Sequence, residues 1–130
     1  MTIRDLVHQF DAQPSLAPAV RNATATGSAV DLRGFDSATV LVHVGAWTDG
    51  SHTPGLEASA DGVSFGAVAA GELQGAFAVV NGGGGANLVQ AVGYAGPARY
   101  LRAKLTVAGA STGAAAGITI LRGHPARAGL

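Results

Sequence analysis

Cysteine is absent from the chain. That excludes disulfides, a thiolate metal site and a cysteine nucleophile, and leaves the redox compartment unread. Charge is scarce too: eight basic and eight acidic residues among 130, for a net charge of zero. Aromatics are few, with four Phe, two Tyr and one Trp. A nucleic-acid surface needs a basic patch with interleaved aromatics, and Tyr100 between Arg99 and Arg102 is too slight a trace of one. No apolar run approaches the roughly 18 residues of a membrane span. The opening Met1-Thr2-Ile3-Arg4-Asp5-Leu6 lacks the apolar core of a signal peptide. The expectation is a soluble product that stays in the cytoplasm where it is made, unless it joins an assembly.

What is abundant is glycine, at 20 residues, together with Ala, Val and Leu. Many glycines allow many tight turns and close backbone approaches. The length fits one domain with a sizeable core. A low-charge surface favours burial against partner subunits. The few charges are also segregated. All eight acids lie in residues 1–72 with three arginines, and residues 73–130 carry five bases and no acid. The halves are therefore −5 (3 minus 8) and +5 (5 minus 0). Interleaved strands would mix these charges in space; the sharper alternative is a dipolar molecule suited to docking on a charged lattice.

Alternating and apolar segments dominate from Val20 onward. The pattern predicts strands over 20–26, 29–32, 39–46, 56–60, 63–67, 77–80, 88–94, 99–107 and 114–122, with turn residues between them. Asp61-Gly62 reads as the type I′ turn of a hairpin. Val40, Val42 and Val44 against Leu41 read as a central strand covered on both faces, with His43 buried and hydrogen-bonded on the Leu41 side. In 99–107, Leu101, Ala103, Leu105 and Val107 point inward, and Tyr100, Arg102, Lys104 and Thr106 outward. Ahead of these strands, Thr2 to Phe10 has Ile3, Leu6, Val7 and Phe10 at helical spacing, and Pro14 and Pro18 stop any helix there. The fold class expected is all-β: a single-domain antiparallel β-sandwich or jelly roll of about eight strands (19–130) behind a short N-terminal arm (1–18).

No catalytic grammar accompanies these strands. The glycine loop Gly82 to Gly85 lacks the Lys-Ser/Thr and the following helix of a phosphate cradle. His8, His43, His52 and His124 show no short paired ligand spacing, so no metal is expected. No Gly-x-Ser-x-Gly elbow occurs. Asp49, Glu57 and Asp61 are close enough in sequence to suggest paired carboxylates, yet acids in loops and hairpins are more often solvent contacts. The chain reads as a non-enzyme without cofactors.

Two blocks carry a resemblance. The first is VDLRGFDSATVLVHVGAWTDGSHTPGLEASADGVSFGAVAAGELQG, and the second is VQAVGYAGPARYLRAKLTVAGASTGAAAGITILRGHP. Together they resemble small head proteins of tailed bacteriophages, with Thr48-Asp49-Gly50, His52-Thr53-Pro54, the Leu56 to Val68 hairpin, and Gly93-Tyr94 through Arg99-Tyr100 and Arg102 in the matching places. Ala58 departs from the pattern, which has Glu there. The resemblance covers about residues 30 to 125 and implies a head decoration, or cement, protein. Its partners would be the major capsid protein and further copies of itself in a homotrimer, with no direct nucleic acid and no membrane. Its place would be the outer surface of the virion capsid. Contacts to the capsid or a sister subunit are expected from Leu6, Val7 and Phe10 on the arm and from Arg102 and Lys104 on the basic strand. The alternative is a virion-displayed receptor- or glycan-binding module that uses Trp47 and the Asp49–His52 loop.

Overall fold

The computed structural model describes residues 6–125. Ten strands form two antiparallel sheets: β1 (Phe10–Arg21), β2 (Ala25–Thr26), β3 (Val30–Asp31), β4 (Phe35–Trp47), β5 (Ser51–Ser59), β6 (Gly66–Ala67), β7 (Leu73–Gln74), β8 (Leu88–Tyr94), β9 (Tyr100–Ala108) and β10 (Ala114–Pro125). The first sheet runs β1-β10-β4-β8-β7. The second runs β2-β9-β5-β6, with β3 also paired to β9. The all-β sandwich expected from the sequence is what the chain forms.

The core lies between the inner faces. Val40, Val42, Ile118 and Ile120 from the first sheet pack on Leu56, Leu101, Ala103 and Leu105 from the second. Each large aliphatic side chain buried this way contributes about 1.5–3 kcal/mol. The alternation read on β9 is correct: Leu101, Ala103 and Leu105 are buried and Arg102 and Lys104 face out.

Residues 10–18 correct the expected arm. They are the first half of β1, an edge strand paired to β10 from Phe10↔Gly123 to Arg21↔Ala114. Register shifts fall between Pro14 and Leu16 and between Leu16 and Ala19. A proline on an edge strand, at a bulge, costs the ladder no hydrogen bond. Of the expected helix, Val7–Gln9 is a single 3-10 turn and Thr2 to Asp5 lies outside the described residues.

Ser15 explains why β1 belongs to the body. Its hydroxyl is buried, donates to the Ser28 carbonyl at 2.7 Å and accepts the Ala103 N–H at 2.8 Å. One side chain of the first sheet thus ties β9 and the β2–β3 turn of the second.

Two smaller expectations also change. The strand read at 77–80 reduces to a single bridge, Val80 with His52. The hairpin at Asp61-Gly62 exists, since β5 pairs β6 through Glu57↔Ala67 and Ala58↔Gly66. Its turn is longer than type I′, though, because Gly62 alone there has positive φ.

Candidate functional site

The loop considered for ligand recognition is spent on the fold. The backbone N–H groups of Ser111, Thr112 and Gly113 all donate to the Asp49 carboxylate, at 3.1, 3.1 and 2.6 Å. These bonds, that from Gly113 foremost, hold the Asp49 carboxyl below the usual range. Trp47 Nε1–H donates to the Gly50 carbonyl at 2.9 Å, and His52, buried, donates from Nε2 to the Asp49 carbonyl at 2.9 Å. Gly113 is the hinge of this lock: its φ is +92°, and a Cβ there would overlap the Arg21 carbonyl. The polar groups of 47–52 therefore join the β4–β5 loop to the β9–β10 loop.

The other two acids of the suspected cluster go elsewhere. Asp61 accepts the N–H groups of Val63 and Ser64 at 2.9 and 3.0 Å and the Ser59 hydroxyl at 2.8 Å. Those donors, Ser64 first, hold its carboxyl down at about 2. Glu57 faces out from mid-β5 toward Arg102 at 2.7 Å and Lys104 at 3.9 Å. Asp49 and Asp61 stand beyond opposite ends of the nine-residue β5, a strand about 30 Å long. Paired glycosidase carboxylates stand within about 10 Å. Asp49 and Asp61 form no such pair.

The structure pairs bases of the second half with acids of the first. Arg99 meets Asp31 through two bonds of 2.9 and 2.8 Å, Arg102 meets Glu57, and Arg122 Nε–H donates to Asp11 at 3.0 Å. The Arg99 guanidinium, with the Arg33 N–H, holds the Asp31 carboxyl at about 2. The segregated charges of the sequence are interleaved in space. Arg102 and Lys104, expected as a surface patch, do lie on the outer face of the second sheet. They flank a shared Glu57 whose side chain is only 16 % exposed, and the Arg102 guanidinium sits 4.1 Å over the Phe65 ring. The patch is thus half-neutralised.

Leu6 and Val7 are exposed, at 69 % and 66 %, and Phe10 is half-buried beside Leu6 in a groove with Leu121 and Thr39. That groove opens onto the outer face of the first sheet, the feature that reading the strands singly missed. Cross-strand registers place Phe10–Gly123–Ser37, Ala12–Leu121–Thr39–Gly93, Pro14–Thr119–Leu41–Ala91 and Gly117–His43–Val89 in successive rows. None of these residues is an acid, lysine or arginine. His43, expected to be buried, is exposed in the last of these rows, because this face of the sheet has no covering layer among the described residues. Beside it lies a shallow hollow of about 420 Å³ lined by Pro18, Val20, His43, Gly45, Ala115 and Gly117. Val20 and Val89 project from the face at 66 % and 57 % exposure.

Among the described residues, no three His, Asp or Glu side chains gather as metal ligands, and no helix is long and apolar enough to cross a membrane. Compared with known proteins, the chain matches no family model and no curated protein.

Proposed function

We propose that this chain is a structural virion protein, a head decoration or cement protein that binds and stabilises the mature capsid of a tailed phage. The observation that carries the reading is how the side chains are spent. Asp49, His52, Asp61 and Trp47 hold loops together, Glu57 and Arg102 pair with each other, and the outer face of the first sheet offers apolar and uncharged contacts instead. Such a surface suits adhesion. The resemblance of 30–125 to small phage head proteins supplies the partner.

A protein that binds only the expanded shell stabilises that shell by mass action. Many copies, each weakly held, add through multivalency. Leu6 and Val7, exposed beyond the end of the β1–β10 ladder, are assigned to the capsid contact. In the receptor- or glycan-binding alternative, the Trp47–His52 loop would bind with side chains that also bond within the protein.

Co-sedimentation of the purified protein with expanded and unexpanded heads of a phage that encodes it tests the reading. Saturable binding to expanded heads, at many copies each, is expected. Leu6→Asp with Val7→Asp should weaken it about tenfold or more, the cost of taking charge into an apolar contact. A handful of copies confined to the tail, or no binding to either head, would sink the proposal.

A further inference from the structure

The uncharged outer face of the first sheet, left uncovered by the described residues, has the size and shape of a subunit interface. The strands β1, β10 and β4 run for 12, 12 and 13 residues and β8 for 7. At about 3.3 Å per residue and about 4.8 Å between strands, their face covers roughly 700 Å². One side of a stable protein interface is roughly 800 Å². We propose that a second copy of this chain packs face to face on this sheet about a two-fold axis along β4.

Charge selects the occupant. A partner presenting Lys, Arg, Asp or Glu here would desolvate a charge with no counterpart in the four rows. The same face of another copy satisfies that requirement, and its exposed Val89 with the half-buried Leu41 and Leu121 supplies the apolar centre typical of homodimers. Shape then selects the arrangement. A two-fold axis along β4 keeps each cross-strand row in place while exchanging the β8 and β10 sides. In the row Gly117–His43–Val89, each copy's Val89 then lies over the other's Gly117. Val89 is the projecting side chain of that row, and Gly117 with Gly45 belongs to the hollow lined by Pro18 and Val20. His43 meets its own copy on the axis. The contact is isologous, so it closes at two copies.

This inference does not rest on the capsid reading, and its test uses the purified full chain without heads. Sedimentation equilibrium is expected to give the mass of a dimer. Val89→Asp and Leu41→Asp, both at positions outside the core, should each raise the dissociation constant at least about tenfold with an unchanged circular dichroism spectrum. Because the chain has no cysteine, His43→Cys provides a second readout. Facing sheets stand about 10 Å apart, beyond the reach of a disulfide, so a short bis-maleimide should link residue 43 to its copy, whereas Lys104→Cys on the opposite sheet should not be linked. A monomeric or trimeric mass for the native chain would overturn the two-fold pairing. So would equal cross-linking at the two positions, or none at residue 43.

Discussion

Ser15 shows how much one short side chain can settle in a molecule with few charges. Its hydroxyl serves a buried donor, the Ala103 N–H, and a carbonyl, that of Ser28. Removing the oxygen leaves both without a partner, at a cost of about 1–3 kcal/mol. Ser15→Ala is therefore expected to lower the unfolding free energy by that amount, read as a lower urea midpoint at unchanged slope, with Ser37→Ala, half-buried on β4 with its hydroxyl against His124, as the milder comparison. A second effect at this scale is acid sensitivity. Asp31 and Asp61 are held at about 2 in the folded chain, against an ordinary 3.8. A carboxyl depressed on folding binds fewer protons when folded than when unfolded over that interval. Its stabilisation is complete above about pH 4 and drains away as the pH falls toward about 2. The melting temperature should accordingly hold near neutral pH and fall between those limits. Asp61→Asn should flatten part of the fall; an acid limb identical to that of the native chain would refute the assignment.

At the scale of elements, legibility followed what each strand needed from its neighbours. The segment β8 was readable to the residue, and β9 nearly so, because alternation and flanking turn residues are local signals. The start of β1 was not. Pro14 and Pro18 read as breakers, yet they sit at register shifts on an edge, where their missing N–H groups face no ladder. Pro54 hid the start of β5 in the same way: β6 reaches only Glu57 and Ala58, so the other side of Pro54 is unpaired. His43 was misplaced because Leu41 suggested a second covering layer, and whether a layer exists is a property of the whole sheet. The uncharged face is also a property of four strands in register, invisible in any one of them. The bond from Asp49 to Gly113 spans 64 residues and has no local signature beyond the Thr-Asp-Gly turn. These corrections change what truncation should do. Deleting residues 1–9 spares every pair of β1 with β10 and should leave melting nearly unchanged. Deleting residues 1–15 removes five of those pairs, Phe10 through Pro14, and with them the Ser15 tie. That shorter chain should melt markedly lower by circular dichroism; equal melting of the two truncations would mean that β1 contributes little.

For the whole molecule, the decisive fact is that the two halves of the chain are threaded through each other. In the first sheet β10 lies between β1 and β4, and β4 lies between β10 and β8. In the second, β9 lies between β2 and β5. Cutting after residue 72 thus removes both sheet neighbours of β4 and the only long neighbour of β5. The N-terminal fragment, alone, would keep Val40 and Val42 without the Ile118, Ile120, Leu101 and Leu105 that cover them. Neither fragment can bury enough apolar surface to offset its chain entropy. Each is expected to lack strand signal by circular dichroism. Their charges are −5 and +5, and in the intact fold Arg99, Arg102 and Arg122 join Asp31, Glu57 and Asp11 across the cut. Mixing the fragments should therefore restore the β spectrum. Because opposite net charge steers their encounter, the rate of recovery should fall as salt shortens the screening length from about 30 Å at low ionic strength to about 8 Å at physiological strength. The final amplitude should change far less, since buried aliphatic contacts, rather than these partly exposed pairs, hold the product. A folded N-terminal fragment, or recovery at a rate indifferent to salt, would show that the interleaving of the halves does not govern how this sandwich assembles.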